Sequence, residues 1–242
     1  MQADSAGVIW RTRTAWEAAD LGIHLLQCWL KSVFSCYLTV AVPLFLAFAA
    51  TGAAVSWLPV LLIWCSKPWL DRTVLFALSR ALFGVSSSPT DVWRARGEVW
   101  GAQLLSTLTL RRLTASRSFT QPVLQLEGLR GTSLRERLKQ ITVRHRATAR
   151  AVWFAFATAE FALFAALFVL EVWLAPHQNV EPWSDFQFLV LPHPSWLKTA
   201  EYAAVVLFLE PFYVAAGFGL YLNRRVELEA WDIEQEFRRA FA

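Results

Sequence analysis

Two long apolar segments in the second half of the chain carry four glutamates. These are Glu160 and Glu171 in residues 151–175, and Glu201 and Glu210 in residues 199–222. Each segment has the roughly 20 apolar residues that a helix needs to cross the hydrocarbon core of a bilayer. A charged carboxylate in the middle of that core costs about 3 kcal/mol on insertion scales. Each such glutamate must therefore be protonated, paired with a cation or placed at a wet cavity.

The spacing of the glutamates predicts two pairs at two depths. We take the segments as antiparallel helices, because a short stretch joins them, and measure depth from the arginines at their inner ends. Glu160 and Glu210 then lie within roughly 6 Å of the same depth, near mid-membrane. The depths of Glu171 and Glu201 agree to within roughly 3 Å, and both residues lie near the outer surface. The inner pair has a functional and a structural interpretation. It could form a path for protons or cations, or a polar substrate site. Alternatively, its carboxyl groups could be neutral and hydrogen-bonded across helices.

The whole chain has the composition of an integral membrane protein. Of its 242 residues, 56% are hydrophobic and only 17% are charged, and the apolar residues are clustered. Thirteen tryptophans are present, and this side chain favours the headgroup layer of a bilayer. We therefore expect an all-α, polytopic membrane protein with amphipathic cytoplasmic helices, whose first partner is the lipid bilayer.

We expect about four transmembrane helices. The first covers about residues 32–51, the second is the apolar run 53–64, and the glutamate-bearing segments are the third and fourth. The second run is shorter than a span requires. It is therefore either continued by the amphipathic residues 69–83 or re-entrant.

The distribution of basic residues predicts the topology. Between residues 67 and 150, Lys and Arg number 15 against five acids, and arginines also flank the outermost apolar segments. Basic residues accumulate on the cytoplasmic side of membrane proteins. We therefore place both termini in the cytoplasm and the protein in the bacterial inner membrane. The predicted parts are an amphipathic N-terminal interfacial helix (1–31), a membrane hairpin (32–66), a basic cytoplasmic helical segment (67–150), a second helix pair (151–222) with an external loop (176–198), and a cytoplasmic C-terminal helix (223–242).

The C-terminal tail is acidic and aromatic, whereas the central segment is basic. We expect the two to dock on each other; the alternative is that a partner protein docks on the tail. The tail residues expected at this contact are Arg224, Arg225, Glu227, Trp231, Asp232 and Glu234. The basic helix at residues 134–150 could instead bind anionic lipid or nucleic acid, but topology alone accounts for its charge. We therefore expect no nucleic-acid partner.

Helix starts and packing faces also follow from the sequence. Thr14 and Glu17 fit a capping box, Ser88 with Pro89 begins another helix, and Ser133 is expected to cap the basic helix. The apolar stripe predicted for the N-terminal helix is Trp16, Ala19, Ile23, Leu26 and Leu30. The small residues predicted to pack against neighbouring helices are Ala155, Ala159, Ala162 and Ala166, and Ala215 with Gly219.

No catalytic motif appears in the sequence. It has no Walker loop, no GxSxG, no HExxH and no Cys/His spacing typical of a metal site. His177 and His193 share the external loop with Glu181 and Asp185, but a solvated loop is the expected arrangement there. We therefore predict no enzymatic activity, no cofactor and no metal.

Four stretches resemble an uncharacterised family of bacterial integral membrane proteins. They are residues 15–22 (AWEAADLG), 67–84 (KPWLDRTVLFALSRALFG), 111–131 (RRLTASRSFTQPVLQLEGLRG) and 210–234 (EPFYVAAGFGLYLNRRVELEAWDIE). Members of that family are encoded near a MoxR-type AAA ATPase, von Willebrand-type membrane proteins and a transglutaminase-like membrane protein. The resemblance implies a subunit of a membrane-associated assembly, with other membrane proteins or an AAA ATPase system as partners. It implies no activity and no catalytic residue.

These observations leave three hypotheses about function. The first is a non-enzymatic scaffold or adaptor, because much of the chain is cytoplasmic and no catalytic groups are recognisable. The second is a small oligomeric transporter or ion-coupled permease that uses Glu160 and Glu210, although no inverted repeat is visible. The third is a lipid-modifying enzyme, for which no pair of nucleophile and base can be named.

Overall fold

The computed structural model describes residues 11–101, 116–143, 145–174 and 195–229. These residues form α-helices joined by turns, and none of them forms a strand. The helices are α1 (Ala15–Cys28), α2 (Leu30–Ala50), α3 (Leu58–Ala81), α4 (Pro89–Arg94), α5 (Arg96–Trp100), α6 (Arg117–Leu126), α7 (Gly131–Thr142), α8 (Arg146–Leu174) and α9 (Ser195–Glu229). The predicted all-α fold class is therefore confirmed for the part of the chain that the structure describes.

Three stretches of helix in the described part of the chain are long and apolar enough to cross a membrane. They are Leu30–Ala53, Arg146–Glu171 and Trp196–Glu229. A short 3-10 turn, Thr51–Ala53, ends the first of them at the predicted position. Three such helices are consistent with the membrane protein predicted from the composition. The number of crossings and the side on which the termini lie stay predictions.

The second predicted span, residues 53–64, corresponds to the beginning of α3. That helix begins at Leu58 and continues without interruption to Ala81. The middle of α3 carries Lys67, Asp71 and Arg72, all of them buried. Because of these charges, α3 is not among the helices that are apolar enough to cross a membrane. The residues predicted as a short span and those predicted as an amphipathic stretch thus belong to one helix.

Helix α9 lies at the centre of the fold, with α1, α2, α3, α6 and α8 packed around it. Its contact with α1 is unusually close, since a Cβ atom on Gly219 would lie 2.1 Å from the carbonyl oxygen of Ala18. A Cβ atom on Gly22 would likewise lie 2.0 Å from the carbonyl oxygen of Ala215. The predicted small-residue pair on α9 is therefore a site where two helix backbones touch, as small residues permit.

The buried face of α1 differs from the predicted stripe. Thr14 caps the helix as expected, accepting a hydrogen bond from the N–H of Glu17 at 3.4 Å. Trp16, the first member of the stripe, is 61% exposed. The helix instead buries the face that carries Ala18 and Gly22, because only small side chains let it approach the backbone of α9. The predicted stripe is therefore confirmed at Ala19 and Leu26, which are buried, and wrong at Trp16 and Leu30, which are exposed.

Helix α8 contacts α9 through aromatic residues rather than through the predicted alanine stripe. The rings of Phe156 and Tyr213 have centroids 5.6 Å apart, and those of Phe164 and Tyr202 are 5.7 Å apart. Three of the four alanines of that stripe are exposed, namely Ala155, Ala162 and Ala166. The same outer face exposes large apolar side chains, including Phe161. Within the described part of the chain, no helix covers these three alanines, so the close packing predicted for them is not made there.

In the segment between α3 and α8, the predicted start of α4 is confirmed, whereas the predicted start of α7 is wrong. Ser88 and Asp91 form a reciprocal capping box at the start of α4. Trp100 on α5 donates a hydrogen bond to Thr73 Oγ1 on α3 at 3.2 Å, which holds this segment against the fold. Helix α7 begins at Gly131, so Ser133 lies inside the helix and does not cap it.

The close contact of α1 with α9 predicts a strong effect of one small substitution. Gly219→Val should lower the midpoint of thermal unfolding, because the added carbons overlap the Ala18 carbonyl and overpacking typically costs about 1–3 kcal/mol. The measurement is thermal unfolding of the detergent-purified protein followed by tryptophan fluorescence. The control is Gly97→Ala, since a Cβ atom there meets nothing within 4 Å. Equal midpoints for the two variants would refute the close contact.

Candidate functional site

Glu210 lies on the inward side of α9 and is only 3% exposed. The ammonium group of Lys67, from α3, lies 2.8 Å from Glu210 Oε2. The same group lies 2.6 Å from Glu160 Oε2 on α8. A single buried lysine therefore joins the two glutamates that the sequence analysis placed at the same depth, and it links α3, α8 and α9.

A second cation, Arg117, reaches Glu210 from the first residue of α6. Its guanidinium forms an ion pair with Glu210 Oε1, and its Nε lies 2.9 Å from Asp71 Oδ2 on α3. The guanidinium carbon also lies 5.3 Å from the ring centroid of Tyr213. Helix α6 can come this near to α9 because Gly217 has no side chain, and a Cβ atom there would lie 2.3 Å from Ser118 Cβ.

Hydrogen bonds between helices hold the two cations in place. Gln121 on α6 donates to the carbonyl oxygen of Pro68 at 3.0 Å, and Gln125 donates to that of Arg72 at 3.0 Å. These bonds fix α6 along α3. On the opposite side, the hydroxyl of Tyr202 donates to Glu160 Oε1 at 2.8 Å.

We call Lys67, Asp71, Arg117, Glu160 and Glu210 the charge cluster. It draws five ionisable groups from four helices, three of them acids and two of them bases. Pairing of this kind offsets the cost of removing charges from water, whereas removing one partner leaves an uncompensated buried charge. The charge cluster therefore ties the surrounding helices to one arrangement.

A cavity of about 270 Å³ lies beside the charge cluster, between α3 and α8. Four members of the charge cluster line it, all except Asp71. The rest of its wall is mainly aromatic and consists of Trp64, Trp153, Phe156, Ala157, Leu209 and Tyr213. Among the described residues, no group of His, Cys, Asp and Glu side chains is arranged to hold a metal ion. The arrangement can accept a small polar or charged molecule with an apolar part.

The outer glutamates form a second, simpler pair. Lys198 on α9 contacts both Glu171 on α8 and Glu201 on α9, the latter at 3.2 Å. Its ammonium nitrogen also lies 4.2 Å from the ring centroid of Phe168. The structure thus brings all four glutamates together in the two pairs that their depths suggested, and a lysine joins each pair.

The end of α9 contacts the basic central segment. Arg137 on α7 lies 2.7 Å from Glu127 and 2.6 Å from Glu229, and the hydrogen bond with Glu127 raises the pKa of Arg137 above its usual value. Arg225 also pairs with Glu229, at 2.7 Å. Since Glu127 follows α6 directly, these pairs connect α6, α7 and α9.

A second group of contacts lies next to the first. Glu227 lies 3.1 Å from His145 and 2.7 Å from Arg224, and Arg224 donates to the carbonyl oxygen of Gln140 at 3.1 Å. The structure therefore brings three of the six tail residues singled out from the sequence to this region, namely Arg224, Arg225 and Glu227. The others, Trp231, Asp232 and Glu234, lie outside the described residues.

The sequence analysis did not identify the cations of the charge cluster. It assigned Lys67 and Arg117 to the basic cytoplasmic segment, and no basic residue of the last two spans lies at the depth of Glu210. One signal was present, because Lys67 and Asp71 are four residues apart within a helix whose residues are mostly apolar. Charges one helical turn apart in such a segment indicate a buried polar face.

Comparisons of the chain with protein-family profiles, curated proteins and solved structures returned no match. The family resemblance described above therefore stays a prediction.

The charge cluster predicts a large and non-additive loss of stability. Lys67→Met should destabilise the protein by about 3–5 kcal/mol, because it leaves two buried carboxylates without their shared cation. Lys67→Met combined with Glu210→Gln should be more stable than the sum of the single changes, since one of those carboxylates is also removed. The measurement is a double-mutant cycle on thermal unfolding in detergent.

The outer pair supplies the matched control for this cycle. Glu171→Gln should change stability by no more than about 1 kcal/mol, because Glu171 and Lys198 are less buried than Lys67 and Glu210. If Lys67→Met were as mild as Glu171→Gln, or if the effects of Lys67→Met and Glu210→Gln were additive, the charge cluster would not hold the helices together.

The contacts of Arg137 predict local loosening of the central segment. Arg137→Met should speed hydrogen–deuterium exchange in residues 131–142, because α7 loses its ion pairs with Glu127 and Glu229. Arg135→Met is the control, since Arg135 is an exposed residue of the same helix. Equal exchange rates in the two variants would show that these pairs do not hold α7.

Proposed function

We propose that this protein is a non-enzymatic adaptor of the bacterial inner membrane, one subunit of a membrane-associated assembly. The observation that carries this proposal is the pairing of both inner glutamates with cations of the same chain. Glu210 has two cation partners, and Glu160 shares one of them. Ion pairs of this kind join α3, α6, α8 and α9, which is a structural role.

The same pairing argues against a transport path through the inner glutamates. A carrier must release its ion, so its carboxylates have to exchange partners during each cycle. Here Lys67 is enclosed by α3, α8 and α9, and Arg117 is anchored by the hydrogen bonds of α6. Exchange would require several helices to separate.

Two surfaces remain for partners. The first is a basic surface on and around α7, whose exposed members are Arg130, Arg135, Lys139, Arg146 and Arg150. The tail acid Glu229 pairs with Arg137 on α7, which is not one of these five exposed residues. An acidic cytoplasmic protein fits this surface by charge. The family resemblance suggests that this partner belongs to an AAA ATPase system.

The second surface is the outer face of α8. It exposes Phe154, Phe161 and Trp173 together with the unpacked alanines of the predicted stripe. Small residues on a membrane helix permit close approach of another helix. A second membrane protein or another copy of this chain would pack there, while lipid covers the remainder.

The second candidate function is a small oligomeric transporter. The cavity between α3 and α8 favours it, because charged side chains and aromatic rings line the same space. This candidate requires the charge cluster to open, whereas the adaptor requires it to stay closed.

Affinity capture from native membranes tests the adaptor role. The tagged protein should recover a stoichiometric partner after crosslinking, and Arg135→Glu with Lys139→Glu should reduce its yield, because these changes reverse the charge of the basic surface. The control is Arg94→Glu with Arg96→Glu, two exposed residues of α4 and α5. A monomeric protein that recovers no specific partner would contradict the adaptor role. Flux in proteoliposomes that is abolished by Glu160→Gln with Glu210→Gln would favour the transporter.

A further inference from the structure

The charge cluster has one more acid than it has bases. Its carboxylates are Asp71, Glu160 and Glu210, and its cations are Lys67 and Arg117. With every group ionised, the charge cluster carries one net negative charge. In a poorly hydrated site such a charge strongly favours a bound proton or a further cation.

Glu160 is the acid best placed to meet a further cation. Its side chain is 21% exposed, against 3% for Glu210 and 1% for Asp71, and it lines the cavity. Each of its oxygens has one hydrogen-bond donor, Tyr202 for Oε1 and Lys67 for Oε2. A carboxylate has about four lone-pair positions, so Glu160 has room for another positive group.

The remainder of the cavity wall suits an organic cation rather than a metal ion. Trp64, Trp153 and Phe156 line the same space as Glu160. Aromatic rings attract quaternary and primary ammonium groups, and cages of such rings recognise choline and methylated lysine. A bare metal ion would need several oxygen or nitrogen ligands that these rings do not supply.

We infer that the cavity between α3 and α8 binds an organic ammonium cation, with Glu160 as its counter-ion and Trp64, Trp153 and Phe156 as its aromatic wall. The size is suitable, since a cavity of about 150 Å³ already accommodates benzene and this one measures about 270 Å³. The site does not depend on the adaptor role. The ammonium group could belong to a free small molecule or to the headgroup of a lipid.

Calorimetric titration of the full-length protein with choline tests this site. The protein is placed in nanodiscs of phosphatidylglycerol, which has no ammonium group. Choline should bind saturably, and its uncharged isostere 3,3-dimethyl-1-butanol should not. Glu160→Gln should weaken choline binding by about tenfold or more, because it removes the counter-ion. Trp153→Leu should weaken it by about threefold to tenfold.

The matched control is Glu171→Gln, a change at the outer glutamate, which lies outside the cavity and should leave choline binding unaltered. Should Glu160→Gln fail to fold, judged by size-exclusion chromatography, Trp153→Leu decides, because that side chain is half-exposed and carries no charge. Absence of saturable choline binding would overturn the inference and indicate that a proton balances the charge cluster. Equal binding of the isostere, or unaltered binding in both variants, would overturn it as well.

A second titration identifies the source of the cation. Nanodiscs that contain phosphatidylethanolamine should lower the apparent affinity for choline if a lipid headgroup occupies the cavity. An unchanged affinity would assign the site to a free ammonium compound. Both outcomes support an ammonium site and distinguish its two sources.

Discussion

The contact of Lys67 with Glu160 and Glu210 is the interaction on which the arrangement of the helices depends. A lone carboxylate deep in an apolar helix is costly, and two of them at one depth are more so. A lysine from α3 offsets that cost for both, and Arg117 adds a second cation for Glu210 and one for Asp71. The helices that supply these groups cannot move apart without exposing a charge to an apolar surrounding, so the electrostatics specify their relative positions.

Close packing around α9 makes this arrangement possible. Gly217 lets α6 approach α9 closely enough for Arg117 to reach Glu210. Gly219 lets α1 lie against another face of α9. Both contacts rely on the absence of a side chain on α9. The outer face of α8 has no comparable contact within the described chain, and its apolar side chains stay available to lipid or to another protein.

The pairing of the four glutamates could be predicted from the sequence, because helix rise and the inner arginines are enough to compare their positions along the two helices. The helix starts at Thr14 and Ser88 were also predictable from local capping chemistry. The partners of the glutamates were not, since Lys67 and Arg117 come from segments whose excess of positive charge was attributed to topology. Only the tertiary fold shows that two of those charges turn inward. The alanines of α8 failed as a packing signal for a related reason: small residues permit a close contact but do not specify which helix makes it.

The most direct test of this account is a solid-state NMR measurement of the contact itself. Lysine labelled with ¹⁵N at Nζ and glutamate labelled with ¹³C at the carboxyl carbon are introduced into the protein in lipid bilayers. The account predicts dipolar couplings typical of direct ion pairs, with one component lost in Lys67→Met and the component from Lys198 retained. A spectrum in which Lys67→Met removes no coupling would show that Lys67 does not pair with Glu160 or Glu210, and the charge cluster would have to be abandoned.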